Sequence, residues 1–205
     1  MQTKQKILLE SLHLFARKGF DAVSVREIVA QLKLTPGALY RHYPSKRAIF
    51  ESILRRMEAD DLERAKLFEV PEGTFSEMAE AYRKTPLAKI CDFCEAQFRY
   101  WTEDEFASAF RKMLTLEQFR SSEMTALYQN YLAGGVLQYV EDLFREMGSA
   151  GLLKPEEPNL LALEFYAPVF ALMSVFDAAS PEAREAVRLC VHRHLERFAR
   201  LHGLE

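Results

Sequence analysis

Apolar residues recur along this chain at spacings of three and four, the period that predicts helices. Ile7, Leu8, Leu12 and Phe15 share one face of a first helix, from Thr3 to Lys18. Gly19 is placed to end it in the left-handed C-cap conformation, with Phe20 folding back onto it. A second helix starts at Ser24 and turns Ile28, Val29 and Leu32 inward. Ser24-Val25-Arg26-Glu27 has the form of a capping box, and Val23 and Ile28 have hydrophobic-staple spacing. Lys33-Leu34 make a short connection to a third helix at Thr35. Strand signals are absent after residue 50, and the same period predicts helices near 45–67, 86–101, 103–114, 122–147, 158–177 and 181–202. A short turn of helix near Phe75 to Tyr82 also fits, behind the break at Pro71-Glu72-Gly73. Gly148 to Pro158 reads as a connector. The fold class is all-α.

The segment TPGALYRHYPSK, Thr35 to Lys46, carries the most chemistry. Thr35 can cap the free backbone N–H groups of a short helix, and Pro36 suits its first position, where it wastes no donor. Gly37 and Ala38 leave the front of that helix almost bare, so its backbone can approach a groove floor. Tyr40, Arg41, His42 and Tyr43 add donors, a cation and aromatic edges. Pro44 stops the helix, and Ser45 caps the next, with Lys46 on its first turn. Two short helices joined by a tight turn, the second with an open polar front, form a helix-turn-helix.

Charge sharpens this. The whole chain has a formal net charge of −3, which at first argues against a nucleic-acid partner. Residues 1–47 hold nine Lys/Arg and three acids, 9 − 3 = +6, and the remainder carries 18 − 27 = −9. A basic end on an acidic body favours approach to phosphate by that end alone.

The rest of the chain offers less chemistry. Cys91 and Cys94 lie three apart on an inward helix face, without a second pair or a histidine cluster, and read as small core residues. His192 and His194 are two apart and point in different directions, which disfavours a metal site. The segment from Pro158 is apolar on nearly every side, so one face is expected in the body's interior and the other against a second subunit. The last helix supplies a matching stripe at Val187, Cys190, Val191, His194, Leu195, Phe198 and Leu201. No nucleophile–base pair, glycine-rich phosphate loop or metal spacing is evident, so no enzyme activity and no cofactor are expected. The longest apolar uncharged run, Phe165 to Phe176, is short of the ~18–20 residues of a bilayer span. The N-terminus, Met1-Gln2-Thr3-Lys4, shows no signal-peptide core, and three cysteines, an odd number, fit a reducing compartment, so cytoplasm is the expected location.

Three stretches, Ala16 to Phe20 (ARKGF), Ser24 to Leu34 (SVREIVAQLKL) and Thr35 to Phe50 (TPGALYRHYPSKRAIF), closely resemble the TetR family of bacterial transcriptional regulators. Leu32-Lys33-Leu34 departs from the small residue and glycine more usual in that family's turn. A weaker resemblance runs through Arg111 to Arg120 and Pro158 to Ala167. The resemblance implies a DNA-binding domain at 1–47 and a helical ligand-binding and dimerisation domain at 48–205. It implies a ligand-responsive regulator, expected to be a repressor, working as a homodimer on a palindromic DNA operator. The last two helices would pair with their symmetry mates, with Phe170, Val187, Val191, His194, Leu195 and Phe198 at the interface. Base reading falls to Thr35, Pro36, Gly37, Ala38 and Arg41. Phosphate or helix-support work falls to Tyr40, His42, Tyr43 and Lys46, and Ser24 and Arg26 reach the backbone. For His42 and Tyr43, packing inside the protein is an equal alternative. An effector pocket is expected from Phe98, Trp101, Met113, Phe119, Tyr128, Tyr131, Tyr166 and Met173, all of which also suit an ordinary core. Their composition favours a small, flat, largely apolar ligand. The competing reading is a DNA-bound architectural or cell-division factor of the same fold, without a promoter-specific role.

Overall fold

The computed structural model describes residues 3–204, and among them every regular element is a helix. Met1 and Gln2 lie outside the described residues. The helices are α1 (Thr3–Lys18), α2 (Val25–Gln31), α3 (Pro36–Tyr40), α4 (Lys46–Leu67), α5 (Phe75–Tyr82), α6 (Leu87–Glu103), α7 (Glu105–Glu117), α8 (Ser122–Leu132), α9 (Gly134–Ser149), α10 (Pro158–Ala178) and α11 (Pro181–His202). The chain forms two compact units, one of Met1–Leu67 with Glu103–Tyr128, the other of Phe68–Thr102 with Gln129–Glu205. This division does not follow a cut after residue 47: α4, α7 and most of α8 belong with the first three helices.

In the first unit, α1 crosses α2, α4 and α7. The spacing that predicted its inner face holds: Ile7, Leu12 and Phe15 are fully buried, joined by Ile28, Leu39, Ile49, Phe50, Ile53, Phe110, Met113 and Leu114. Gly19 ends α1 with φ 86°, a left-handed backbone that a side chain adopts only with strain. The turn after α2 is a Schellman arrangement in which Leu34 N–H reaches back to Val29 C=O at 2.8 Å. Its left-handed position, φ 55°, is taken by Lys33 in place of a glycine.

The capping box expected at Ser24 is only half made. Ser24 Oγ accepts from Glu27 N–H at 3.2 Å, but the Glu27 carboxylate turns away to Lys18 Nζ at 2.5 Å. That ammonium holds Glu27 below the usual carboxylate range. A complete box forms at Thr74 and Glu77, where it starts α5.

In the second unit, α10 packs against α9 and α11, and α5 against α9. The single helix expected over 122–147 is broken at Ala133, whose backbone (φ −132°, ψ −105°) leaves the helical region. Gly135 fixes that break: a Cβ there would sit 2.8 Å from Asn130 C=O. The helix α10 is longer than the uncharged run read from sequence. With 21 residues, and a mean hydropathy of 1.6 over its most apolar 18, it is long and apolar enough to cross a membrane by length and composition alone. Leu161, Ala162, Val169, Met173 and Phe176 nevertheless lie in the core of the unit.

Candidate nucleic-acid interface

Three residues fix the start of α3. Thr35 has an extended backbone, its Oγ1 accepts from Ala38 N–H at 3.2 Å, and Pro36 occupies the first helical position. Leu39, fully buried, anchors the helix in the core. Around that anchor Thr35, Pro36, Gly37, Tyr40, Arg41 and His42 are exposed, and Ala38 is half-buried. The helix ends at Tyr40, earlier than Pro44, and the chain turns through Arg41 and His42 before α4. A Cβ added at Gly37 would meet nothing within 4 Å. The fold therefore imposes no demand for glycine at this position, and the bare surface is free for an outside partner. Ser24 and Arg26, at the start of α2, are exposed as well.

Two of the expected DNA contacts are turned inward, and these are corrections. Tyr43 is 4% exposed, and its hydroxyl donates to Lys4 C=O at 3.3 Å. Burial pushes its phenol up. Packing, the alternative considered for it, is what the structure shows. Lys46 Nζ donates to the carbonyls of Phe20 at 2.6 Å, Val23 at 2.9 Å and Asp21 at 3.4 Å. An ammonium has three donors, and all three are used. His42 remains exposed.

Arg47, next on α4, is held by Glu51 and by Glu123 at the start of α8. Arg17 and Lys18 pair with Glu10 and Glu27. Among the described residues Lys6, Arg26, Lys33 and Arg41 have no ion-pair partner. The +6 counted from sequence thus overstates the charge on offer, but Arg26 on α2 and Arg41 at the end of α3 are exposed and free of ion pairs. Sequence reasoning missed Glu117 and Glu123, whose partners are 97 and 76 residues away. The resemblance in Arg111 to Arg120 was the one signal near Glu117.

Residues 7–53, which hold α2, α3 and the first turns of α4, match the family model described as bacterial regulatory proteins, tetR family. Residues 7–53 thus form a TetR-type head. The TetR family is one of DNA-binding regulators rather than enzymes. The chain is 44% identical over 55 residues to the uncharacterized HTH-type transcriptional regulator YuxN of Bacillus subtilis, which covers 26% of this chain and 19% of YuxN. It is 32% identical over 59 residues to the nucleoid occlusion factor SlmA of Pasteurella multocida, covering 28% and 30%. The chain thus spans about a fifth to a third of the length of these curated relatives. Over the whole fold it is similar to SmeT in complex with triclosan, with a TM-score of 0.68 and 16% identity, covering 99% of this chain and 92% of that one. SmeT is the repressor of the multidrug efflux pump SmeDEF of Stenotrophomonas maltophilia. At that identity the likeness shows the fold.

Beyond its TetR-family head, the structure distributes the expected effector-pocket residues over both units. Met113 is fully buried in the first unit, which also holds Tyr128, half-buried. Phe119 is 89% exposed past the end of α7 and lines no core, so it leaves the set. In the second unit Phe98, Met173 and Trp101 gather in one cluster with Cys91 and Cys94. Tyr131 is half-buried, and the Tyr166 hydroxyl donates to Leu132 C=O at 2.8 Å. Cys94 lies against this cluster, and burial pushes its thiol up to about 12, as for a packed core thiol.

The dimer residues need a larger correction. Val187, Val191, Leu195 and Phe198 are all under 9% exposed in the core of their own unit, so α11 turns the predicted stripe inward. Phe170 is half-buried, and His194 Nε2 lies 2.9 Å from Phe165 C=O. The outward stripe is a different one: Leu160, Leu163 and Val175 of α10 are 57%, 50% and 52% exposed, and Leu189 and Leu201 of α11 are exposed too. His192 Nδ1 meets Glu95 at 2.6 Å, which raises the imidazole's pKa. Among the described residues no group of three or more His, Cys, Asp or Glu is placed to hold a metal ion.

Proposed function

We propose that this protein is a cytoplasmic, sequence-specific DNA-binding transcriptional regulator that acts as a homodimer. The observation that carries the reading is the front of α3. It is capped, anchored by Leu39 and left bare at Gly37, with exposed Arg41 at its C-terminal end and exposed Arg26 on the preceding helix. Thr35, Pro36, Gly37, Ala38 and Arg41 read base edges in the major groove. Tyr40, His42, Ser24 and Arg26 contact phosphate and sugar. Binding is tested by fluorescence anisotropy on a duplex enriched by the protein from a random library. Arg41→Ala is expected to cost about 1–3 kcal/mol on that duplex and little on a shuffled one. Equal binding by wild type and Arg41→Ala contradicts the assignment.

One short helix makes few base contacts, so specificity requires two copies. The exposed stripe Leu160, Leu163, Ala171 and Val175 of α10, with Leu189 of α11, is the surface that supplies the second copy. The regulator is a repressor released by a small, largely apolar ligand. The apolar cluster of Phe98, Trp101 and Met173 supports this, as does the triclosan bound to SmeT. A true effector raises the melting temperature and releases DNA together; a compound that does only the first is not one.

The likeness to SlmA over the head favours a second reading, an architectural factor bound at many dispersed sites. Genome-wide occupancy separates the two, since a promoter-specific regulator occupies few sites.

A further inference from the structure

We propose that Lys46 and Glu117 form a two-sided clasp on Phe20 that sets the seating of the DNA-reading helices, making both positioning residues; this rests on the DNA-binding reading above. Phe20 opens the turn between α1 and α2, directly after Gly19. On one side its N–H donates to Glu117 Oε1 of α7 at 3.0 Å. On the other its C=O accepts from Lys46 Nζ of α4 at 2.6 Å. Its ring lies between Phe15 and Phe50, with centroids at 5.1 and 5.2 Å, and the Lys46 ammonium sits 4.3 Å from the ring centre. One residue is thus tied to α7 through its amide, to α4 through its carbonyl, and to the core through its ring.

The clasp reaches the reading helices through the chain that follows. Lys46 also takes the carbonyls of Asp21 and Val23, so it holds the turn up to the residue before the Ser24 cap. The entry of α2 is thereby fixed against the first turn of α4, with α3 between them. Glu117 is 2% exposed, and burying a carboxylate is costly unless it is hydrogen-bonded, as this one is by the Phe20 N–H. Gly19 confirms how closely the carboxylate approaches. A Cβ there would run into Glu117 Oε1, so glycine is required both by the left-handed backbone and by the clasp.

A lysine on phosphate and a lysine in a clasp differ in salt dependence. The first adds about 0.9 to the slope of log affinity against log salt, and the second adds nothing. The test uses the full chain and two duplexes, one enriched by the wild type from a random library and a shuffled control of equal length and composition. Lys46→Gln and Glu117→Asp are each expected to lower affinity for the enriched duplex about 10-fold, with the shuffled duplex and the salt slope unchanged. Glu117→Gln keeps an acceptor at the same place and is expected to stay within about threefold of wild type. Lys46→Gln lowering the slope by about one on both duplexes makes Lys46 a phosphate contact and overturns the clasp. So does unchanged selectivity in both Lys46→Gln and Glu117→Asp. A wild type with no preference between the duplexes defeats the DNA reading itself, a result distinct from either.

Discussion

Arg47 and Glu123 meet in a two-pronged ion pair, Nη1 to Oε2 at 2.9 Å and Nη2 to Oε1 at 2.5 Å, that fastens the first turn of α4 to the start of α8. Each side chain is nearly half exposed, so the pair contributes modestly to stability. A double-mutant cycle with Arg47→Ala and Glu123→Ala is expected to give a coupling of about 0.5–1 kcal/mol at neutral pH. The guanidinium lowers the Glu123 pKa, so this coupling is present above the ordinary glutamate range and is lost as pH falls through the depressed folded value. Coupling that persists in acid contradicts the pairing.

Gly37 separates folding from binding. Because a Cβ there meets nothing within 4 Å, Gly37→Ala is expected to leave stability unchanged or raise it by about 0.5 kcal/mol. The same methyl group would intrude between α3 and the groove floor, so affinity for the enriched duplex is expected to fall at least about 10-fold. Urea unfolding and anisotropy on one preparation measure both. Loss of stability with DNA binding intact would reverse the assignment.

Asp61 of α4 is a cost the fold carries. Burial pushes its carboxyl up to about 6, against a smaller opposing pull from Arg64 and with a contribution from Asp60. A carboxyl with a raised folded pKa binds protons in the native state that the unfolded chain has released. Stability therefore falls as pH rises from about 4 to about 6 and stays lower above that. Asp61→Asn is expected to raise the melting temperature at neutral pH and to flatten the profile across that window. An unchanged profile shows that Asp61 is better solvated than its burial implies.

Leu163 tests which surface joins two copies. It is half exposed on α10, whereas Val191 and Leu195 of α11 are buried in their own unit. Leu163→Glu is expected to give a folded monomer in sedimentation, with weak DNA binding. Val191→Ala is expected to lower stability by about 0.5–2 kcal/mol without changing the oligomeric state. The opposite pattern would restore the stripe read from sequence.

The helix-turn-helix was legible because its signals are local. Thr35, Pro36, Ser24 and Gly19 each act on backbone groups within four residues, and the structure uses each one as its residue type suggests. Partners far apart in sequence were not legible. Nothing near Lys46 reveals that the carbonyls of Phe20 and Val23 lie beneath it, and nothing near Glu117 points to Phe20. The α11 stripe failed for another reason. Val187, Val191, Leu195 and Phe198 were read correctly as one apolar face, but periodicity does not say whether such a face meets its own unit or a second copy. The break at Ala133 was missed because the apolar pattern runs through it, although Gly134-Gly135 marks the place.

The central claim is that α3 reads duplex DNA as one of a symmetric pair. Selection of bound duplexes from a random library, followed by sequencing, tests it most directly. The expected result is enrichment of an inverted repeat with half-sites about 10 base pairs, or a multiple of that, from centre to centre, and loss of that enrichment with Arg41→Ala. Recovery of unrelated sequences, or of a single unrepeated site that survives Arg41→Ala, would contradict it.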